Sequence, residues 1–189
     1  MQNGKLIVVA APSGAGKTTV VKHLLQHMPQ LAFSVSAATR EKRANEKDGV
    51  DYYFMSPDDF KNKIENDECV EWEMVYEGKY YGTLKSELQR IWNENKHVIF
   101  DVDVVGGLHI KEKYPTETLA IFIKPPDILT LAQRLQNRNT EDEKSLQERM
   151  DKAEHEISHA PHFDVTILND NLEVTLAEAE TLVKEFLEK

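Results

Sequence analysis

A glycine-rich segment near the amino terminus contains the residue types needed to hold a phosphate group. Residues 11–18 read Ala-Pro-Ser-Gly-Ala-Gly-Lys-Thr, between a short apolar run and a helical pattern. Gly14 and Gly16 let the backbone turn so that successive N–H groups point at an anion. The Lys17 ammonium can reach nucleotide phosphates, and the Thr18 hydroxyl can bind Mg²⁺. This segment, the glycine loop, predicts a P-loop; a glycine-rich turn that opens an ordinary helix is the alternative.

Two arginines and several tyrosines further along the chain could hold a second phosphate. Arg40 and Arg43 stand three residues apart, and arginine forks bind phosphate oxygens in pairs, which suits a monoester dianion. Arginine pairs on loops are also commonly solvated charges, so the residue types leave both interpretations open. A tight turn is predicted at residues 81–83. Hydroxyl donors near these segments are Tyr52, Tyr80 and Tyr81.

Glu71 is a candidate for recognising a purine base. It stands among the apolar neighbours Cys69, Val70 and Trp72 in a predicted strand, and a half-buried carboxylate needs hydrogen-bond donors. Guanine offers its N1–H and 2-amino group on one edge, whereas adenine offers a lone pair at N1 and would be repelled. The alternative is a surface carboxylate, because strand positions alternate between the two faces of a sheet.

Composition and charge limit the classes of function. The chain has 189 residues and a net charge of −10, which argues against a protein that coats nucleic acid. Residues 1–56 nevertheless carry seven Lys or Arg against four acidic residues, which favours a small anionic ligand there. The longest apolar run, residues 6–12, is far shorter than the ~20 residues of a membrane span. A lone cysteine, Cys69, is typical of a reducing compartment. We therefore expect a cytoplasmic protein, a monomer or weak homo-oligomer, without nucleic-acid or membrane partners.

Buried strand patterns alternate with helical patterns along most of the chain, which predicts an α/β protein whose parallel sheet is flanked by helices. The predicted strands are residues 6–10, 97–103, 119–123 and 164–168. The predicted helices are residues 17–28, 84–94, 127–137, 144–159 and 172–189. Residues 33–83 interrupt this order with aromatic, β-like segments at 33–36, 52–54 and 70–76 around a helix at 57–66, and predict an inserted, mostly antiparallel subdomain. The polar, arginine-bearing residues 134–149 predict a mobile lid.

Taken in order, these motifs resemble the guanylate kinase family, whose members transfer the γ-phosphate of ATP to GMP. The resemblance rests on residues 12–18, 33–36, 39–43, 49–52, 71–72, 80–83, 101–103 and 169–170, with Arg134, Arg138 and Arg149. It implies a P-loop kinase fold in one domain, residues 1–189. The implied core is residues 1–32, 84–126 and 155–189, the GMP-binding insertion is residues 33–83, and the lid is about residues 127–154.

The resemblance also implies a role for each matching residue. The implied ATP-binding residues are Pro12, Ser13, Gly14, Ala15, Gly16, Lys17, Thr18 and Thr19. The implied guanine contacts are Ser36, Glu71, Thr83 and Asp103, and the implied contacts of the GMP phosphate are Arg40, Arg43, Tyr52 and Tyr81. The implied catalytic residues are Lys17, Arg40, Asp101, Arg134, Arg138 and Arg149. Thr18 would bind Mg²⁺, the expected cofactor, with its water shell near Asp101.

Several positions depart from the usual family pattern, and other classes of protein stay open. The departures are Ala11 for Gly, Asn45 for Gly, Thr83 for Ser, Val105 for Gln and Asn137 for Gly. Non-catalytic interaction modules share this fold, but they typically have degraded P-loops, whereas Gly16, Lys17 and Thr18 are intact here. Another small P-loop kinase is a further alternative. Residues 155–159 match the H-E-x-x-H zinc motif, which would need a third protein ligand.

Overall fold

A computed structural model describes residues 4–136 and 143–189 of the chain. The strands are β1 (Leu6–Ala10), β2 (Leu31–Phe33), β3 (Ala37–Ala38), β4 (Tyr53–Phe54), β5 (Cys69–Tyr76), β6 (Lys79–Leu84), β7 (His97–Asp101), β8 (Thr118–Lys124) and β9 (Val165–Leu168). The helices are α1 (Lys17–His27), α2 (Pro57–Glu65), α3 (Lys85–Asn93), α4 (Val104–Lys113), α5 (Ile128–Gln136), α6 (Glu143–Ser158) and α7 (Leu172–Leu187), with a short 3-10 helix at Ala160–His162.

A five-stranded parallel sheet forms the centre of the fold, in the order β2-β7-β1-β8-β9. All five residues of β1 are fully buried, because helices cover both faces of the sheet and leave no side exposed to water. Val9 and Ile121 pack in one core cluster with residues of α1 and α7, and Val8 and Phe100 pack in the other with residues of α3 and α4. The predicted α/β architecture is confirmed.

A second, four-stranded sheet has the order β4-β3-β6-β5. Its β3/β6 and β5/β6 pairs are antiparallel and its β3/β4 pair is parallel, so the expectation of a mostly antiparallel sheet is confirmed. The α2 helix begins at Pro57 after the Ser56 hydroxyl caps it by accepting a hydrogen bond from the Asp59 amide at 3.1 Å. Phe60 of α2 is fully buried in a third core cluster with Ala37, Cys69 and Leu84. This cluster holds the helix and the second sheet together.

Two predictions inside residues 33–83 are wrong. The strand predicted at residues 33–36 is β2, which ends at Phe33 and pairs with β7 in the parallel sheet. The turn predicted at residues 81–83 is part of β6, and the chain reverses instead at Gly78, whose φ is +71°. Glycine at position 82 allows β6 to pack closely against β5, because a Cβ there would lie 2.5 Å from the Glu71 carbonyl oxygen.

The sequence patterns also miss α4. Its first turn is capped by Asp103, whose carboxylate accepts a hydrogen bond from the Gly106 amide at 2.8 Å, so the strand predicted to reach residue 103 ends at Asp101. Two adjacent glycines lower the helix propensity of this segment. A Cβ on Gly107 would lie 2.9 Å from a Val8 methyl group, so glycine lets α4 approach β1 closely.

The predicted lid corresponds to α5, α6 and the residues between them. Residues 137–142 lie outside the described part of the chain, and Arg138 is among them. The division into core, insertion and lid stays a prediction. No helix within residues 4–136 and 143–189 combines the length and the apolar character needed to cross a membrane.

Candidate active site

The glycine loop connects the end of β1 to the start of α1. Gly14 and Gly16 have φ values of +87° and +102°, a backbone region that side chains rarely adopt. A Cβ on Gly16 would also lie 2.5 Å from the Asn169 side-chain nitrogen. Both glycines are therefore required by the shape of the loop, which presents its backbone at the positive end of the α1 dipole.

Lys17 and Thr18 meet Asp101 at the carboxyl end of the parallel sheet. The Lys17 Nζ atom lies 2.7 Å from Asp101 Oδ1 and donates a hydrogen bond to the Val102 carbonyl at 2.8 Å. The Thr18 hydroxyl donates to Asp101 Oδ2 at 3.1 Å. The parallel register sets Asp101 beside Val9, one residue before the end of β1. The topology of the sheet thus brings Lys17 and Thr18 to Asp101, which lies more than 80 residues away along the chain.

Asn169 supports the glycine loop from beneath. Its side-chain nitrogen donates to the Ala15 carbonyl at 2.7 Å, and its Oδ1 accepts from the Thr175 hydroxyl at 3.2 Å. Its own carbonyl accepts from Arg134 Nη2 at 3.1 Å, which places this predicted arginine next to the loop. Sequence reasoning assigned no role to Asn169. Its position as a polar residue directly after the strand β9 is the signal that could have found it.

A cavity of about 320 Å³, the loop cavity, lies above the glycine loop. Its walls are residues 11–14 and 16–19 together with Asp101, Asp103 and Glu156. The predicted ATP-binding residues therefore lie together, except that Ala15 is fully buried and acts through its carbonyl. Glu156 comes from α6, and burial raises the pKa of its carboxyl. The sequence singles it out only as part of the H-E-x-x-H match and predicts no part for it in nucleotide binding.

A second cavity of about 230 Å³, the hairpin cavity, lies between the β5–β6 hairpin and the end of β7. Six of the predicted residues line it, namely Ser36, Tyr52, Glu71, Tyr81, Asp101 and Asp103. Thr83 lies directly behind Glu71, to which its hydroxyl donates at 2.8 Å. Asp101 and Asp103 line both cavities, so the two cavities adjoin at the end of β7.

Glu71 is a buried carboxyl, with 9% of its surface exposed. Burial raises its pKa to about 7, and the negative charge of Asp103 acts in the same direction against the hydrogen bond from Thr83. The hydrogen bonding that Thr83 supplies does not compensate the Glu71 carboxylate for the loss of water. The Glu71 carboxylate is therefore suited to a ligand that brings further N–H donors.

Glu73 shares the cavity face of β5 with Glu71, and sequence reasoning missed it. A hydrogen bond with Asp103, together with burial, raises the pKa of Glu73 to about 7. The register of the hairpin pairs Glu73 with Tyr81 and Glu71 with Thr83. The signal that could have found Glu73 is its spacing of two from Glu71, which puts both side chains on one face of a strand.

Arg40 is held in place by Glu46. Its Nη1 and Nη2 atoms donate to the two carboxylate oxygens of Glu46, both at 2.6 Å, and its guanidinium carbon lies 4.9 Å from the centre of the Tyr52 ring. The hydrogen bonds from Arg40 lower the pKa of Glu46 to about 2 and raise the pKa of Arg40. Glu46 also accepts from the backbone amide of Arg43 at 2.9 Å. It thereby orients the Arg40 side chain and fixes the backbone of Arg43, and sequence reasoning missed it too.

Some predicted residues lie away from the two cavities. Tyr80 packs against Phe60, with ring centres 5.6 Å apart, in the core of the second sheet. Arg43 and Arg149 have exposed side chains, Arg43 in the loop before Glu46 and Arg149 on α6. The rings of His155 and His159 pack edge to face, with their centres 4.9 Å apart. In the described part of the chain, no three His, Cys, Asp or Glu residues are grouped to hold a metal ion, so the zinc interpretation lacks its third ligand there.

Comparison with known proteins gives one consistent family. The sequence profile described as guanylate kinase matches residues 3–188. The guanylate kinase of Bacteroides thetaiotaomicron is 46% identical over 98% of this chain and 91% of its own length. The guanylate kinase of Porphyromonas gingivalis is 48% identical over 98% of this chain and 99% of its own length.

A solved structure agrees with the sequence comparisons. The crystal structure of guanylate kinase from Anaplasma phagocytophilum superposes with a TM-score of 0.76 at 27% identity, and the match covers 100% of this chain and 89% of that one. The resemblance identified from the motifs is confirmed. The chain belongs to the guanylate kinase family.

Proposed function

We propose that this protein is an ATP:GMP phosphotransferase, which moves the γ-phosphate of ATP to GMP and yields ADP and GDP. The observation that carries the proposal is the pair of adjoining cavities. One is built on a glycine loop with a lysine, and the other contains a buried carboxylate suited to guanine. The relatives reported above are guanylate kinases and support the same activity.

The loop cavity would bind ATP. Its backbone amides and Lys17 would surround the β- and γ-phosphates, in the manner of a P-loop. Thr18 and Asp101 fit Mg²⁺, because a hydroxyl and a carboxylate oxygen lie 3.1 Å apart there and Mg²⁺ prefers a few such oxygens beside waters and substrate phosphates. Thr18 would hold the ion and Asp101 its water shell. When bound, Mg²⁺ supplies positive charge that offsets the charge of the phosphates.

The hairpin cavity would bind GMP. Glu71 and Asp103 would accept hydrogen bonds from the guanine edge, with Ser36 and Thr83 beside them. Arg40, Arg43, Tyr52 and Tyr81 would hold the phosphate. A guanidinium group has five N–H donors, so Arg40 can serve a phosphate while Glu46 keeps it oriented.

The reaction needs alignment rather than a protein nucleophile. An oxygen of the GMP phosphate forms a bond to the γ-phosphorus, and the bond from that phosphorus to the bridging oxygen of ADP breaks. Asp101 and Asp103 border both cavities, so the two phosphates would meet at the end of β7, beside the Lys17 ammonium. Lys17 would stabilise charge on the transferring group. Arg134, Arg138 and Arg149 are predicted to close over ATP and exclude water.

The non-catalytic interaction module is not favoured, because the glycine loop is intact and the relatives with 46% and 48% identity are guanylate kinases. We further propose a cytoplasmic monomer or weak homo-oligomer with the core, insertion and lid boundaries predicted from the sequence. The buried thiol of Cys69 fits a reducing compartment.

An assay of ADP release from MgATP tests the function, with GMP, AMP, CMP and UMP offered in turn. We expect turnover with GMP to exceed turnover with the other three by at least about 100-fold, since a site built to hydrogen-bond a substrate rejects analogues without the donors. Thr83→Ser, which restores the usual family residue, serves as an active control. Equal use of all four monophosphates, or no turnover by the native chain, would refute the proposal.

A further inference from the structure

The β5–β6 hairpin presents two cross-strand pairs to the hairpin cavity. Glu71 faces Thr83, and Glu73 faces Tyr81 two positions nearer the hairpin turn. These pairs stand about 7 Å apart along the strands, because each strand residue advances about 3.4 Å. In the proposed function, which this inference assumes, Thr83 belongs to the base end of GMP and Tyr81 to its phosphate end.

The ribose joins the base to the phosphate, so it must cross the interval between these two pairs. Glu73 stands at the phosphate-side end of this interval, half-buried in the cavity wall. We propose that Glu73 recognises the ribose of GMP, by accepting a hydrogen bond from one of its hydroxyl groups.

The surroundings of Glu73 favour a hydroxyl donor over the other parts of GMP. Its carboxyl shares the wall of the hairpin cavity with the carboxyl of Asp103, and two acidic groups so close together favour a ligand that brings a hydrogen-bond donor. A ligand hydroxyl can be that donor. A phosphate would be repelled by the carboxylate, and the guanine N–H groups already have Glu71 and Asp103 as acceptors. The ribose hydroxyls are the remaining donors of GMP.

The same geometry predicts selection between GMP and a deoxy analogue. A site that bonds a substrate hydroxyl discriminates against the analogue that lacks it, and the discrimination is larger the better water is excluded. Glu73 is half-buried, so water can partly replace a missing hydroxyl. We therefore expect a preference on the order of tenfold in kcat/KM for GMP over the 2′-deoxy or the 3′-deoxy analogue.

The test measures kcat/KM for GMP, 2′-deoxy-GMP, 3′-deoxy-GMP and IMP in the native protein and in Glu73→Ala, Glu73→Gln and Glu77→Gln. Glu77 is an exposed carboxylate at the hairpin turn and provides the matched control. Glu73→Ala should bring the GMP/deoxy-GMP ratio close to one, through a higher KM for GMP. Glu73→Gln keeps an acceptor oxygen and should retain part of the ratio, and Glu77→Gln should behave like the native protein.

An unchanged GMP/deoxy-GMP ratio in Glu73→Ala, or a native protein without any such preference, would overturn the inference. A change in the GMP/IMP ratio alone would overturn it as well, because Glu73 would then contact the base. If Glu73→Ala does not fold, the isosteric Glu73→Gln decides by the same ratios. Absence of GMP turnover in the native protein would instead refute the proposed function.

Discussion

Replacing Glu71 by Gln should make the free protein more stable at alkaline pH. The ordinary pKa of a glutamate is 4.5, and burial raises that of Glu71 to about 7. Between these values the folded protein holds a proton that the unfolded chain has lost, so the free energy of unfolding falls as the pH rises from about 4.5 to about 7. Above pH 7 the folded protein carries a buried charge, and the stability that the protonated Glu71 carboxyl contributed at low pH is absent.

The size of the effect follows from the two pKa values. They differ by 7 minus 4.5, or about 2.5, and at ~1.4 kcal/mol for each pKa unit this gives up to about 3 kcal/mol. Glutamine does not titrate, and its amide oxygen can still accept the hydrogen bond from Thr83. The amide N–H can in turn donate toward the neighbouring Asp103 carboxylate. Glu71→Gln should therefore raise the free energy of unfolding by up to about 3 kcal/mol at pH 8 and by less than about 1 kcal/mol at pH 5.

Urea unfolding of the two proteins without nucleotide, at pH 5 and pH 8, measures the difference. Glu77→Gln should show no pH-dependent gain, because that carboxylate is exposed. The activity should move the opposite way, with kcat/KM for GMP lower by on the order of 10²–10⁴-fold, since the two guanine hydrogen bonds to a charged acceptor contribute ~1.5–3 kcal/mol each. A Glu71→Gln protein with the same stability as the native chain at both pH values would refute the burial argument.

Two further substitutions separate the two cavities. Lys17→Ala should abolish phosphoryl transfer while the affinity for GMP, measured by calorimetry, stays within a few-fold of the native value. The reason is that Lys17 contacts Asp101 and the Val102 carbonyl rather than the residues predicted to bind GMP, Glu71 and Arg40. Substantial residual turnover would exclude Lys17 from the mechanism. Gly82→Ala should cost about 1–3 kcal/mol of stability and raise the KM for GMP but not for ATP, because its Cβ would press on the Glu71 carbonyl. Gly78→Ala, with open space around its Cβ, should leave both KM values unchanged, and a similar KM change in the two variants would contradict this account.

The parallel sheet was predictable because its strands are short runs of β-branched and apolar residues. Such runs indicate a buried strand from local sequence alone, without knowledge of their neighbours in the fold. The misplaced turn and the missed helix share a physical cause. A glycine at position 82 favours a turn and one at position 107 disfavours a helix, but each permits a close approach, to the Glu71 carbonyl and to Val8 respectively. Local propensity contains no information about the neighbour that a glycine makes room for.

The residues of the candidate site likewise form two groups, those that the sequence predicts and those whose roles appear only in the fold. Lys17, Arg40 and Glu71 could be proposed from residue type and spacing, because their chemistry is visible in the side chain itself. Glu46 and Asn169 act on those residues or on the loop backbone, and their roles depend on distances that only the fold supplies. Asn169 is more than 150 residues from the carbonyl that it binds.

The sharing of Asp101 and Asp103 by the two cavities has an evolutionary consequence. The glycine loop starts from the parallel sheet, whereas Glu71, Glu73 and Thr83 belong to the second sheet. Drift in the second sheet can change which nucleotide is accepted and leave the machinery that handles the donor intact. Residues 101–103 do not have this freedom, because Asp101 and Asp103 line both cavities and a change there would alter both at once. Selection on a lineage that acquires a new acceptor should therefore act on the hairpin first and on the end of β7 last.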